Sequence, residues 1–366
     1  MSLPLRDDYD EILRSGITLL DVRAPVEFEH GTFAAAVNCP LLDNDQRAQV
    51  GKRYKDEGQE AAIALGHQLV DDVKRAERVE QWTTLAKQSP DLHLYCARGG
   101  LRSDISQQWM ADAGFTIPRI VGGYKALRKH GIRVVEDSVN SLDVVVVSGR
   151  TGTAKTRLIQ QRDDSVDLEG LANHRGSAFG RWPSPQPTQA TFENALACDF
   201  LKLRAANVRQ LVFEDEGRNV GRAAIPTSVV DKTSVAPIAV IEATVEQRVE
   251  ETVTGYITES LAAWTERAPA NEGFDAFAEA LLQSLDRIRK RLGSRDHAEV
   301  RMMMVDAITQ HRTRDDQTAH ADWIRKLLTD YYDPMYDYQL SARQDRIVFS
   351  GSREAVNDWL DERLSR

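Results

Sequence analysis

The chain has 366 residues, of which 42% are apolar and 28% charged, and a formal net charge of −9. That length gives room for two or three domains with cores of their own, and the acidic balance excludes a diffusely basic nucleic-acid binder, so any polyanion site must be a local basic patch. The longest aliphatic run, Val144 to Val147, is too short to span a bilayer. No secretory leader is read at the N-terminus, and three scattered cysteines (Cys39, Cys96, Cys198) fit free thiols in a reducing cytoplasm better than a disulfide scaffold.

Residues 1–130 alternate strand-like and helix-like stretches. Ile17–Val22, Leu92–Tyr95 and Ile117–Val121 read as strands; Ala61–Leu69, Val79–Ala86 and Asp104–Ala113 read as helices. Residues 131–141 are polar and weakly periodic, and are expected to be a linker. A second α/β unit is expected over 142–244, with strands at Leu142–Val147, Leu211–Phe213 and Pro237–Ile241 and a helix at Thr156–Arg162. From 245 to 366 helical stretches dominate, among them Ala276–Leu292 and Ala319–Leu328. A short strand at Arg346–Phe349 and a helix from Glu354 are expected to complete the second unit. The fold class is α/β throughout.

Two loops carry chemistry. The first is Cys96-Ala97-Arg98-Gly99-Gly100-Leu101-Arg102-Ser103, placed after a strand and before a helix. A free thiol titrates near roughly 8.5 and only its thiolate is a good nucleophile. Backbone N–H groups and a helix start aimed at the sulfur favour that form. Gly99 and Gly100 allow the backbone angles such a ring needs, and Arg98 and Arg102 can meet an oxyanion or the thiolate. Cys-x5-Arg-Ser permits two chemistries: a cysteine that carries or delivers a chalcogen, and a cysteine phosphatase. The second loop, Gly149-Arg150-Thr151-Gly152-Thr153-Ala154-Lys155-Thr156, also follows a strand and opens a helix. This is the context of a P-loop, in which amides cradle phosphates, lysine neutralises them and threonine can ligate Mg²⁺. Ala154 stands where that pattern has glycine, which puts tight nucleotide binding in question and leaves anion binding intact. Glu214, Asp215 and Glu216, directly after a strand, could hold a metal or act as a base.

The upstream run Leu20-Asp21-Val22-Arg23-Ala24-Pro25-Val26-Glu27-Phe28-Glu29-His30-Gly31, with Asn38-Cys39-Pro40-Leu41 and Gly122-Gly123, resembles rhodanese domains, in which Asp21 and Arg23 would form a structural ion pair. The cysteine loop is one residue longer than the common sulfurtransferase form, which suits a larger anion. Between the two loops lies Asp167-Leu168-Glu169-Gly170-Leu171-Ala172-Asn173-His174-Arg175-Gly176-Ser177-Ala178-Phe179-Gly180. Together with Phe192-Glu193-Asn194 and Tyr331-Tyr332-Asp333-Pro334-Met335-Tyr336, it makes essentially the whole chain resemble the tRNA 2-selenouridine synthase family, a fusion of a rhodanese-like and a P-loop domain. Departures are Ala154, and Gly217 where that family usually has serine.

The resemblance implies that wobble 2-thiouridine in tRNA is S-alkylated by geranyl diphosphate and that selenium from selenophosphate then replaces the geranylthio group. Cys96, Arg98, Gly99, Gly100 and Arg102 would handle selenium, while Gly149, Gly152, Lys155 and Thr156 would hold the diphosphate. Glu169, His174, Arg175, Glu214, Asp215 and Glu216 are candidates for the same pocket. No metal-ligand set is assigned and no tightly bound cofactor is expected; a need for Mg²⁺ stays open. The partners implied are tRNA and an enzyme that supplies selenophosphate, with no membrane. The densest basic cluster, Arg287, Arg289, Lys290, Arg291 and Arg295, together with Lys125 and Arg128, is the expected contact with the tRNA backbone. A geranyl groove could use Tyr331, Tyr332 and Tyr336, or Met302–Met304, though core packing is favoured for both. Two other readings stay open: a cysteine-dependent phosphatase fused to a nucleotide-binding module, and a non-catalytic ATP-responsive tRNA or partner binder.

Overall fold

The computed structural model describes residues 2–269 and 271–364. The chain divides into two compact units: the described residues up to Asp137 together with Thr188–Ala205, and Ser138–Pro187 together with the described residues from Ala206 onward. Each is built on a five-stranded sheet.

In the first unit the strands are β1 (Leu5–Arg6), β2 (Leu19–Asp21), β3 (Ala36–Asn38), β4 (His93–Tyr95) and β5 (Arg119–Ile120). Their order is β1-β5-β4-β2-β3, and every pairing is parallel. Parallel strands need covered faces, and helices Asn44–Glu57, Gln59–Leu69, Asp72–Gln88 and Leu101–Asp112 supply them. Leu20, Val22, Trp82, Leu94, Trp109 and Met110 form one buried cluster. All strands point the same way, so their following loops gather at one edge, and Asp21 pairs in register with Tyr95. The turn at Asp21–Arg23 and the Cys96 loop are therefore neighbours.

The second unit contains β6 (Asp143–Gly149), β7 (Ser165–Val166), β8 (Gln210–Glu214), an antiparallel pair β9 (Asn219–Val220) and β10 (Ala223–Ala224), β11 (Ile238–Ile241) and β12 (Ile347–Gly351). The sheet order is β12-β11-β6-β8-β7, again parallel. Val144–Val147 sit at its centre and are buried, as an uninterrupted aliphatic run requires. Val147 lies opposite Glu214, so the loop after β6 and the acidic turn after β8 emerge side by side. Helices fill most of 245–341 around a core that includes Phe277, Leu285, Val300, Met304, Trp323 and Leu327. The chain then returns to add β12 beside β11 and to pack Val356 and Leu360 of the helix Arg353–Leu364 on the sheet.

Two expectations need correction. The stretch 131–141 is the second half of a continuous helix, Gly123–Ser141. Leu127, Val134, Val135 and Val139 are buried at helical spacing, which a polar linker would not sustain. Residues 189–205, expected within the P-loop unit, form a helix, Gln189–Ala205, that belongs to the first one. There Asn194 donates to the Thr32 carbonyl at 2.9 Å, and Glu193 and Asn194 both bond Arg128.

Candidate active sites

Cys96 leaves β4 with its side chain 3% exposed and its Sγ 3.2 Å from the hydroxyl of Ser103. Two glycine pairs shape the loop around it. Gly99 has φ +64°, and a Cβ there would meet Gly122 N at 2.6 Å. A Cβ on Gly123 would sit 2.2 Å from the Cys96 carbonyl oxygen. That close approach lets Tyr124 N–H donate to the Cys96 carbonyl (2.9 Å) and Lys125 N–H to that of Ala97 (3.1 Å). The Gly122-Gly123 turn is thus a brace for the cysteine loop. Beneath it Asp21 and Arg23 form the expected ion pair at 2.6 Å, fully enclosed, with the Arg23 guanidinium 3.8 Å from the centre of the Tyr124 ring.

The two arginines of the loop differ. Arg98 is exposed. Arg102, expected to face the sulfur or an oxyanion, lines the same cavity as Cys96 and forks onto Glu27 at 2.5 and 3.0 Å. Burial disfavours a charge on Glu27, yet Arg102 holds its carboxyl below the usual range. The side chain is an anchor between the helix Leu101–Asp112 and the helix Pro25–Glu29. Cys96 also opens onto a cavity of about 710 Å³ whose walls include Val50, Ile63, Val70, Leu101, Ile105 and Trp109. Cys39 and Cys198 have their thiols pushed up by burial, as inert packed cysteines should.

In the second unit the loop after β6 forms a phosphate-sized cradle. Gly149 (φ +158°) and Gly152 (φ +85°) pass so close to their neighbours that a Cβ would lie 2.6 Å from Thr153 Oγ1 and from the Arg248 carbonyl respectively. Ala154 adopts the left-handed conformation, φ 59° and ψ 34°, despite its Cβ. Lys155 donates to the Gly149 carbonyl at 2.8 Å and lies 3.8 Å from Glu214. Thr156 donates its hydroxyl proton toward Glu169 (3.1 Å) and Glu214 (3.0 Å).

Glu169, Glu214 and Glu216 bring carboxylate oxygens within 4.8 Å of one another. Burial first, and mutual repulsion second, push Glu169 and Glu216 well above the ordinary carboxylate range; burial likewise raises Glu214. Gly176 makes room for this cluster, since a Cβ there would stand 2.4 Å from Glu169 Oε1. The neighbouring Asp215 lines the same cavity and is gripped by Arg343 at 2.7 and 2.9 Å. Arg175 bonds Glu259 at 2.9 Å and lies 3.9 Å from the centre of the Trp182 ring. His174 is buried and held neutral by that burial and by Arg181 and Arg287; its Nδ1 has no hydrogen-bond partner among the described residues.

These groups border one cavity of about 570 Å³. Its far wall is aromatic, with Tyr256, Tyr331, Tyr332, Met335 and Tyr336. Two π-helical segments, Thr254–Glu259 and Leu328–Tyr332, carry Tyr256, Tyr331 and Tyr332 of that wall, a distortion common at functional sites, and Met335 and Tyr336 come from the helix Asp333–Ser341. Tyr331 and Tyr332 therefore do both: they pack against the helical core and line the P-loop cavity with Tyr336. Met302–Met304 do not line it: Met304 is in the helical core and Met302 is 69% exposed.

Of the basic cluster, Arg291 lines this cavity and Arg287 stands near His174 with Arg181, while Arg289, Lys290 and Arg295 are exposed. Lys125 is exposed in the first unit, whereas Arg128 is occupied by Glu193. Sequence reasoning missed Arg248. It is 1% exposed, donates to the Thr151 carbonyl at 2.9 Å, and pairs with Asp333 at 2.9 and 2.6 Å. One guanidinium thus ties the phosphate loop to the Tyr331–Tyr336 segment. An arginine amid Val245–Val253 reads as surface, and its acidic partner is far along the chain.

Two parallel α/β units, one presenting a cysteine loop and the other a P-loop-like turn at the ends of their strands, are the arrangement of a transferase. Residues 142–366 match the family model described as the tRNA 2-selenouridine synthase AAA domain. Proteins named tRNA 2-selenouridine synthase from Shewanella loihica (44% identical over 98% of this chain and 96% of that one), Marinobacter nauticus (43%, over 100% and 99%) and Hahella chejuensis (47%, over 96% and 93%) are similar along nearly their full length. The chain belongs to the tRNA 2-selenouridine synthase family. No helix among the described residues is long and apolar enough to cross a membrane.

Proposed function

We propose that this chain replaces the sulfur of wobble 2-thiouridine in tRNA by selenium through a geranylated intermediate, with one step at each loop. In the first step the thiouridine sulfur attacks C1 of geranyl diphosphate. The S–C1 bond forms, the C1–O bond breaks, pyrophosphate leaves and the N3 proton is released. In the second, selenium of selenophosphate adds at C2 and the C2–S bond breaks. Geranylthiol departs with a proton, and water cleaves the Se–P bond to give phosphate and 2-selenouridine.

The observation that carries this reading is the amphiphilic P-loop cavity. One wall is a cradle of Gly149, Gly152, Lys155 and Thr156, and the other is the tyrosine face, which matches a diphosphate with an apolar tail. Stabilising the charge of departing pyrophosphate is the catalytic need, and backbone amides with Lys155 meet it. The oxygen donors of Thr156, Glu214 and Glu216 suit Mg²⁺, which when bound would add positive charge beside the pyrophosphate. In the first unit, read as rhodanese-like, the loop amides would hold selenophosphate with Cys96 at its selenium. The phosphatase reading needs an arginine on phosphoryl oxygens, and Arg102 is committed to Glu27 instead. Lys125, Arg289, Lys290 and Arg295 offer exposed charge to tRNA phosphates, and a separate enzyme would supply selenophosphate.

The test is nucleoside mass spectrometry on thiolated tRNA incubated with the chain. Geranyl diphosphate alone should yield the S-geranyl nucleoside, and selenophosphate added afterwards should convert it to 2-selenouridine. Selenation at full rate in the absence of any prenyl donor would overturn the order of steps.

A further inference from the structure

We propose that the cavity beside Cys96 is a second prenyl site, which shelters the geranyl chain of the alkylated uridine while its sulfur is displaced. The inference rests on the two-step reading above and adds to it where the tail lies in the second step. Its first support is covalent. In the intermediate the chain is bonded to the sulfur on C2, so wherever C2 meets the selenium donor the ten-carbon tail is within one bond of the reacting atom. If displacement occurs at the Cys96 loop, the tail must be accommodated there and not at the P-loop.

The second support is the cavity itself. It holds about 710 Å³, within the size range of small-molecule sites, and Cys96 is part of its lining. Val50 comes from the helix Asn44–Glu57, Ile63 from Gln59–Leu69, and Leu101 and Ile105 from the helix that follows the cysteine loop. An oxyanion alone would call for polar walls. The lining joins charged groups, Arg47, Arg98, Arg102 and Lys125 with Glu27, to the apolar side chains just named, which matches a substrate that is anionic at one end and hydrocarbon at the other. Leu101 (43% exposed) and Tyr54 (59% exposed) are large side chains left partly open at this cavity, as a surface covered only by substrate would be.

The experiment uses the full chain and anticodon stem-loop RNAs carrying S-geranyl- or S-methyl-2-thiouridine, with selenophosphate as donor. Ile63→Trp narrows the chamber without touching Cys96 or the loop. It should lower kcat/KM for the geranyl RNA by about tenfold or more while changing the methyl RNA by about twofold at most. An equal loss on the two RNAs, or no loss on either, overturns the proposal. A photoreactive diazirine at the tail of the geranyl group gives a readout independent of turnover. Adducts on residues 44–70 and 101–109 support the site, and adducts confined to Tyr331, Tyr332 and Tyr336 sink it. If the unaltered chain makes no 2-selenouridine from either RNA, the two-step reading fails, and the labelling pattern still reports whether the chamber takes the chain.

Discussion

The two units solve one backbone problem in the same way and then diverge in what surrounds the solution. In each, a buried parallel strand ends in a loop whose glycines admit close backbone contacts, and a helix begins directly after it. Around Cys96 the walls are aliphatic and the nearby carboxylate, Glu27, is neutralised by Arg102. Around Gly149–Thr156 the walls combine carboxyls and tyrosines with basic side chains, among them Lys155, Arg157 and Arg175. The lesson is that an anion cradle is generic, while the chemistry it serves is set by side chains from other parts of the chain.

The sharpest way to break this division is to disable one loop at a time. Cys96→Ser should abolish selenium incorporation, a loss on the order of a thousandfold or more, while geranylated tRNA accumulates. Lys155→Ala should slow geranylation by roughly a hundredfold and leave selenation of pre-geranylated RNA near normal. Both are read by nucleoside mass spectrometry. Full selenation by the cysteine variant would show that the first loop is not the selenium site.

Removing one member of the Arg248–Asp333 pair tests whether the tyrosine wall and the phosphate loop form one unit. Arg248 is enclosed, so Arg248→Met strands Asp333 and frees the Thr151 carbonyl. A cost of about 3–5 kcal/mol is expected for breaking such a buried pair from one side. Denaturant melts should show it in the second unit, together with weaker binding of geranyl diphosphate. Unchanged binding in a folded variant would make Arg248 a support for stability alone.

The cores of both sites were legible from sequence because glycine spacing and strand–loop–helix order are local. The strands at Leu19–Asp21, His93–Tyr95 and Asp143–Gly149, and the helices after Gly100 and Ala154, fall where the pattern puts them. Features that depend on distant pairings escaped. The Arg102–Glu27 fork spans 75 residues and that of Arg248–Asp333 spans 85. The two π-helical segments have no compositional mark, yet they turn Tyr256, Tyr331 and Tyr332 to the cavity. The helix Gly123–Ser141 is different: its apolar spacing was present, and its many charged residues obscured it. The motif Phe192-Glu193-Asn194 was legible but its place in the fold was not, because only the fold shows that Asn194 bonds Thr32.

A smaller effect separates the two units by acid. In the helical region Trp323 Nε1 donates to His320 Nδ1 at 3.0 Å, so the neutral ring carries its proton on Nε2 and donates it to His311 Nδ1, 3.2 Å away. Burial, with a lesser contribution from His311, pushes His320 down to about 4. The unfolded chain binds that proton near 6.5. The stabilisation is therefore complete above about pH 6.5 and is lost as pH falls toward 4, with about 2 kcal/mol gone at pH 5. Thermal melts at pH 7 and pH 5 should show the second unit more acid-sensitive in the unaltered chain than in His320→Asn. Equal sensitivity would place the acid response elsewhere.

The smallest effect bears most directly on how the two loops compare. Glycine holds the left-handed turn in the cysteine loop, at Gly99, whereas Ala154 takes that conformation just before the P-loop helix. A left-handed residue with a Cβ costs roughly 1–2 kcal/mol. Glycine would return part of that gain through the greater freedom of its unfolded chain, about 0.5–1 kcal/mol. Ala154→Gly should therefore stabilise the second unit by about 0.5–1 kcal/mol and tighten diphosphate binding by a few-fold, since the cradle would need less from its ligand to hold its shape. Calorimetric titration with pyrophosphate, paired with melts, separates the two consequences. If stability rises and affinity does not, the cradle is already fully formed without its anion, and Ala154 is a tolerated strain with no bearing on catalysis.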